Sequence, residues 1–488
     1  MNYLGCDLGA ESGRLILGKV TQGKLEMQEL HRFPNVPLRQ NDSLVWDIKN
    51  LFDELVVGLR RATELQLKFH SISTDSWGVD YVLIDEQGAL LPPVYHYRDE
   101  RTERGVENIL KKIAWENIFE ETGIQFLSIN TLFQLGAENN SRLKKARKLL
   151  GVADAFNFFL SGNAKVEESM ASTFQIYNPR TRAWSEKLAT LLELPSDLLP
   201  PIVPAGTHLG SLRPELRSEL NMPHLQVIAS CSHDTGAAVA AVPAATKSGW
   251  GYISSGTWSL MGVELQSPLI NTKARELNFT NGAGIIGTTR FLKNIVGLWL
   301  LQECRRRWEE EGQRCSYAEL TAAAEAAPAF RSLINPAQPG FLKPGDMPGR
   351  IKDFCAKTDQ PIPETQGAIV RCIFESLAFL YRRTLQELEF VIGRKLEVMH
   401  VVGGGSKNNF LNQLTADALQ LPVYAGPTEA TAAGNIMVQA WAAGEVNSLE
   451  SLRETIRRSE PIKSFLPASF APYEPAWKRF QTLETLGS

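Results

Sequence analysis

The corner Ser232-His233-Asp234-Thr235-Gly236 follows the apolar run Leu225-Gln226-Val227-Ile228-Ala229, which reads as a buried strand, and precedes a small-residue helix over Ala237 to Ala241. An aspartate at such a corner can be aimed into a cleft, where it could accept a hydroxyl proton as an oxygen attacks phosphorus. His233 and Thr235 flank it and are suited to hydrogen-bond substrate hydroxyls. The bland alternatives are an N-capping Asp234 and a satisfied core histidine, and taken alone the cap is the better reading. Contiguity of Ser232, His233 and Asp234 argues against a nucleophilic triad, because neighbouring side chains point in different directions.

A second chemical signal is a glycine-punctuated hairpin written twice, half the protein apart. The first runs from Tyr3 through Asp7-Leu8-Gly9-Ala10-Glu11-Ser12-Gly13-Arg14 to Leu17, and the second runs Tyr252-Ile253-Ser254-Ser255-Gly256-Thr257-Trp258-Ser259-Leu260-Met261-Gly262-Val263. One such turn is ordinary, but a repeated pair suggests backbone N–H groups presented to a polyphosphate from two sides. Asp7 ends the first strand, where a carboxylate could hold a hydrated Mg2+ beside phosphates, a turn-capping role being the alternative. Arg14 is placed to neutralise phosphate charge or to face outward from its strand. The run Gly403-Gly404-Gly405 between a strand and a helix removes every Cβ from a place of close approach, where a tight turn alone would need one glycine.

These residues need a scaffold, and the chain supplies an α/β order. A strand from Lys24 to His31, an amphipathic helix from Asp47 to about Gln66 with Leu51, Leu55 and Leu59 at helical spacing, and a strand from Phe69 to Thr74 follow the first hairpin. The turn Asp75-Ser76-Trp77-Gly78-Val79-Asp80 lies at a strand end and is expected to line a pocket. From about Arg98 to Pro223 the pattern is helical and irregular, an elaboration on the sheet. Pro243 to Gly249 reads as a hinge. The second half then resets with its own hairpin, a helix from Gln366 to about Ile392, a strand from Leu396 to Val402 and a helix from about Asn408 to Leu419.

The 488 residues allow two sizeable cores, and a formal net charge of −3 gives no general reason to bind nucleic acid or an anionic membrane. Basic clusters such as Arg305-Arg306-Arg307 read as solvated helix faces. The start of the chain lacks the features of a secretory signal, and no apolar run is long enough to span a bilayer, so a cytoplasmic location is expected. The six cysteines lack metal-type spacing. Cys355 and Cys372 meet if the helix from Gln366 folds back on its preceding loop, although a reducing cytosol works against a disulfide.

Taken together, the chain resembles the FGGY family of carbohydrate kinases, and within it the rhamnulokinase subfamily. The resemblance rests on Asp7 to Arg14, Trp77-Gly78-Val79-Asp80, Tyr97-Arg98-Asp99, Asn130-Thr131-Leu132, Ser232 to Thr235, Ser255 to Trp258, Arg290-Phe291-Leu292-Lys293-Asn294 and Val402 to Gly405, and it covers essentially the whole chain. It implies a two-domain actin-like ATPase fold of the ribonuclease H type, a duplicated mixed sheet flanked by helices, with ATP and sugar in an interdomain cleft. Residues 1–244 would form the sugar-binding and catalytic domain, 245–465 the nucleotide domain and 466–488 a helical tail. By the family pattern Asp234 is the proton acceptor, Gly78, His233, Thr235 and Asn294 bind sugar, and Ala10, Glu11, Ser12, Gly13, Arg14, Thr257, Gln302 and Gly404 hold ATP, with Mg2+ at Asp7. Asn294 and Gln302 rest on the resemblance alone, since their surroundings read as helix surface. Glu11 stands where the family often has a small residue, and a carboxylate beside a triphosphate is unfavourable unless it points away or helps hold the metal.

The implied reaction moves the γ-phosphoryl group of ATP to the C1 hydroxyl of L-rhamnulose, with L-fuculose, L-ribulose and D-xylulose as rival ketoses. The expected partner is a small sugar, with no nucleic acid or membrane, and the expected state is a monomer or homodimer. A sugar sensor is disfavoured by the lack of an appended DNA-binding helix pair. A filament-forming ATPase is disfavoured by the large insertion with its polar corner residues.

Overall fold

The structure is a computed structural model that describes Met1–Thr485. The chain forms two compact units. The first comprises Met1–Ala245, Glu264–Phe291 and Glu429–Glu460, and the second comprises Thr246–Val263, Leu292–Thr428 and Pro461 onward. The linear division expected at 244/245 and 465/466 is therefore redrawn, because 264–291 and 429–460 pack with the N-terminal residues. Of the expected tail, Glu474–Thr485 is helical, and residues 486–488 lie outside the described residues.

In the first unit a mixed sheet runs in the order Thr207–Ser211, Gln226–Ala229, Ser71–Ser76, Asn2–Leu8, Ser12–Thr21, Lys24–Pro34. Asn2–Leu8 pairs antiparallel with Ser12–Thr21 and parallel with Ser71–Ser76. That parallel register carries the third strand to Ser76, opposite Leu8, two residues beyond the Thr74 end predicted from hydrophobicity. Leu15 and Gly18 point to opposite faces by the two-residue period of a strand. On Leu15's face lies the helix Ile48–Glu64, capped by Asp47 and burying Leu51, Leu55 and Leu59.

The other face receives the helix Ala430–Ala442, whose Ile436 reaches Gly5 and Gly18. A Cβ on Gly18 would lie 2.5 Å from Ile436, so the glycine is what lets the helix seat. The same helix packs on the small-residue helix Asp234–Ala240, where a Cβ on Gly434 would lie 1.9 Å from the Ala237 carbonyl oxygen. Arg453 and Glu264, both nearly buried, pair at 2.8 Å and tie the two later segments of this unit together.

The second unit repeats the plan. Trp250–Ser255 pairs antiparallel with Trp258–Leu265 and parallel with Val398–Val402, which continues to Val423–Ala425 in parallel and then to Lys463–Phe465 antiparallel. A hairpin whose first strand has a parallel partner on its other side thus occurs in both units, as the duplicated sequence predicts. The helix Gln366–Ile392 is capped by Thr365 and packs on the helix Asn409–Leu419. Cys355 and Cys372 do meet, thiol against thiol, and both are free, as are the other cysteines among the described residues. Among the described residues no helix is long and apolar enough to cross a membrane.

Candidate active site

The corner at Asp234 is built from below by peptide hydrogen bonds. Ser76 N donates to Ser232 O at 2.9 Å, extending the strand ladder by one bridge to His233. Glu167 Oε2 accepts from Ser232 N at 2.9 Å and from the Ser169 hydroxyl, and Ser169 Oγ accepts from His233 N at 3.0 Å. Glu167 N in turn donates to Asp154 Oδ1 at 3.1 Å. Burial pushes the Glu167 carboxyl up to about 7. Glu167 thus braces the corner's backbone, a role that no local pattern announces.

The helix starts three residues before the expected Ala237, at Asp234, with His233 in the capping position and no side-chain cap. Asp234 is therefore the first helical residue, not the N-cap, and its carboxylate takes the N–H and hydroxyl of Thr235. Its side chain remains 31 % exposed. Burial raises its carboxyl to about 7, with the charge of Asp7 adding and the Thr235 N–H and Arg290 opposing. An acceptor titrating near neutrality matches what proton transfer from an alcohol requires.

His233 touches Asp234 on one side, with Nε2 3.4 Å from Oδ1, and on the other its Nδ1 lies 3.2 Å from Arg290 Nη2. Burial first and Arg290 second hold its pKa well below the ordinary value, so the ring is neutral. Gly78 sits against this ring: a Cβ there would lie 3.1 Å from Nε2 and 2.8 Å from Thr173. At the far end of that turn Asp80 faces inward instead of toward a pocket. Asp80 is fully buried and accepts from Trp46 Nε1 at 2.6 Å, Trp77 Nε1 at 2.9 Å, Gln134 Nε2 at 2.9 Å and Tyr97 N at 3.2 Å. Four donors leave it a brace.

The first hairpin brings Asp7 and Arg14 together. Arg14 Nη2 bonds Asp7 Oδ2 and Nη1 reaches Glu429 Oε2 at 2.5 Å. Its turn is closed by Gly9 N to Ser12 O at 2.9 Å and tied by Asn35, whose side chain donates to Gly9 O and whose N–H donates to Glu11 O. Ala10 and Ser12 are partly buried, and the Glu11 side chain is exposed at the tip. Gly13 is glycine for packing, since a Cβ would lie 2.2 Å from the Phe33 ring. Asp75, opposite Asp7 in the sheet, is fully buried. Its Oδ2 accepts from Asn435, while its Oδ1 has no hydrogen-bond partner among the described residues. Burial and then Asp7 drive its carboxyl pKa well up.

No group of three or more His, Cys, Asp or Glu among the described residues is set to hold a metal ion. Mg2+ in nucleotide sites needs no such cage, because it is bound through one or two carboxylates, waters and phosphate oxygens. Asp7, at the end of its strand beside the hairpin turn, is one carboxylate of that kind.

In the second unit Thr257 occupies the hairpin turn, where Gly256 N closes onto Trp258 O at 2.9 Å. Leu298 N and Trp299 N donate to the Gly256 and Thr257 carbonyls and seat the helix Trp299–Glu310 on the turn. Gln302, one turn into that helix, has a buried Oε1 without a hydrogen-bond partner among the described residues, so it is not the helix surface its sequence surroundings suggest. Asn294 lies on the strand Thr289–Val296, not on a helix.

The triple glycine resolves into separate demands. Gly403 has φ +84°, a Cβ on Gly405 would lie 2.0 Å from Ser255 Oγ, and only Gly404 faces open space. Gly404 alone therefore keeps the reading of close approach by a ligand.

Models of the FGGY family of carbohydrate kinases match this chain over residues 2–241, as the N-terminal domain, and 251–443, as the C-terminal domain. The chain is 42 % identical over 483 residues to the rhamnulokinase of Bacteroides thetaiotaomicron, covering 98 % of this chain and 99 % of that protein. It is 38 % identical to the rhamnulokinase of Bacillus subtilis, covering 96 % of each. Among solved structures, the xylulose kinase of Lactobacillus acidophilus superposes with a TM-score of 0.80 at 18 % identity, over 99 % of this chain and 98 % of that one. The gluconate kinase of the same organism gives 0.81 at 17 % identity, over the same shares. The duplicated sheets, the glycine hairpins and these full-length matches agree on a two-domain actin-like ATPase fold, and the chain belongs to the FGGY family of carbohydrate kinases.

Proposed function

We propose that this enzyme transfers the γ-phosphoryl group of ATP to the C1 hydroxyl of L-rhamnulose, giving L-rhamnulose 1-phosphate and ADP. The observation that carries the chemistry is Asp234, a part-exposed carboxylate titrating near 7 beside a neutral His233. The observation that favours the substrate is the near-full-length identity to rhamnulokinases.

Asp234 takes the proton of the attacking hydroxyl as the new P–O bond forms. His233, Gly78, Thr235 and Asn294 orient the sugar, with Gly78 keeping the approach to the His233 ring open. Ala10, Glu11, Ser12, Gly13 and Arg14 hold the nucleotide with Thr257, Gln302 and Gly404, and the otherwise unmatched Gln302 Oε1 is suited to an N–H or O–H of that ligand. Asp7 would hold Mg2+, which when bound would neutralise charge on the phosphate oxygens. Arg14, in pairing with Asp7 and Glu429, keeps a positive group at the same turn. The exposed Glu11 points its charge to solvent, so its backbone rather than its carboxylate serves the phosphates. The setting is cytoplasmic, with the enzyme acting as a monomer or homodimer.

A coupled ADP-release assay across L-rhamnulose, L-fuculose, L-ribulose and D-xylulose tests this reading. The highest kcat/KM is expected with L-rhamnulose. A preference for another ketose would reassign the substrate, and sugar-independent ATP hydrolysis would remove the transfer altogether.

A further inference from the structure

Arg290 is the largest fully buried side chain described, 1 % exposed, and no carboxylate lies within ion-pair distance of it among the described residues. A guanidinium taken out of water is normally matched by a carboxylate, so its placement calls for another use. Its Nε donates to Ala283 O at 2.9 Å, and Ala283 N is itself held by Ser172 Oγ at 2.9 Å. Gly282 makes the room, since a Cβ there would lie 2.8 Å from Nη2 and 3.1 Å from Cζ. Anchored in this way, Nη2 lies 3.2 Å from His233 Nδ1.

A guanidinium has donors and no acceptor. The imidazole nitrogen facing it must then offer its lone pair, and the ring proton must sit on the other nitrogen, Nε2, which is 3.4 Å from Asp234 Oδ1. The opposite tautomer would set a donor against Arg290 and the Nε2 lone pair against the Asp234 carboxylate, unfavourable at both ends. Both contacts thus favour one protonation state.

We infer that Arg290 is a positioning residue of the phosphoryl-transfer site, holding His233 as the neutral Nε2–H tautomer so that the ring keeps its N–H edge toward the Asp234 carboxylate and offers a donor to the sugar oxygen beside it. The inference rests on the proposed function for its consequence but not for its geometry. Arg290 touches neither reactant in this scheme and acts through His233 alone.

The test is 15N NMR of the full-length enzyme labelled at histidine, with the His233 signals assigned by their loss in His233→Gln. In the unsubstituted enzyme Nδ1 should resonate as a bare ring nitrogen and Nε2 as a protonated one. In Arg290→Met the two signals should move toward a mixture of tautomers or toward imidazolium, and kcat should fall at least about tenfold while the KM for ATP stays put. If Arg290→Met does not fold, Gly282→Ala crowds the guanidinium without removing its charge and should move the same two signals.

An Nδ1–H ring in the unsubstituted enzyme, or a His233 spectrum unchanged in a folded Arg290→Met protein, would overturn the inference. An enzyme that phosphorylates no ketose would sink the proposed function while leaving the tautomer result to stand or fall by its own spectrum.

Discussion

The site residues of the first unit and those of the second are built of different chemistry. Asp7, Arg14, Asp75, His233 and Asp234 are ionisable groups coupled to one another, and the raised carboxyls of Asp75 and Asp234 both feel Asp7. Thr257, Asn294, Gln302 and Gly404 carry no charge at all. Asp7, Arg14 and Thr257 stand on hairpins of one plan, and Gly13 in the first unit and Gly405 in the second are forced by packing against Phe33 and Ser255. These two glycines therefore serve the frame. The difference between the units lies in the side chains they carry, and under the proposed function it divides proton and charge handling from recognition by shape and neutral hydrogen bonds.

Breaking the charged side should cost turnover most. Asp234→Asn is expected to lower kcat by about 10²–10⁴-fold with little change in the KM for sugar, measured by ADP release. Full activity in that variant would remove Asp234 from the mechanism. The unsubstituted enzyme should lose kcat/KM about tenfold per pH unit below pH 7, because the base must be ionised and its carboxyl titrates at about 7. A profile flat to pH 5.5 would contradict that assignment.

Breaking the neutral side should instead weaken binding. Gln302→Leu removes one amide whose oxygen is buried, and Gly404→Ala adds one methyl where the fold leaves open space. Each is expected to raise the KM for ATP about tenfold with the melting temperature nearly unchanged. A fall in kcat without a change in KM would erase the proposed division of labour.

The smallest effect concerns the brace under the corner. Glu167 titrates at about 7 folded against an ordinary 4.5, so the folded state binds the extra proton. The stability it contributes is full below pH 4.5 and is lost as pH rises through 7. Glu167→Gln should flatten the decline in melting temperature between pH 5 and 8, and an unchanged slope would show that Glu167 is already ionised.

Much of the frame was legible. Leu51, Leu55 and Leu59 gave away their helix by spacing, and the repeated hairpins gave away the duplicated sheet, because hydrophobic period and glycine placement are local properties. Strand ends were read less well, as at Ser76, where pairing with Leu8 outruns the apolar run. The turn at Asp80 looked like pocket lining because it follows a strand end, where ligands of α/β folds sit, and the sequence did not reveal that the indoles of Trp46 and Trp77 both turn inward onto its carboxylate. Of the candidate site, Asp7, Arg14 and the Asp234 corner could be argued from their own residues. Gln302 could not, since a polar residue on a polar helix looks the same whether or not its amide is buried.

The sequence by itself determined the family and the duplicated α/β plan, since both are written in residue types and their spacing. Only the tertiary structure decided that His233 stands between Asp234 and Arg290, 57 residues away, that Glu167 holds the corner's peptides from 65 residues away, and that Asn435 reaches Asp75 across 360. The reason is physical: protonation state and hydrogen-bond matching depend on which groups share a buried volume, and that is set by how sheets and helices pack, not by their order along the chain.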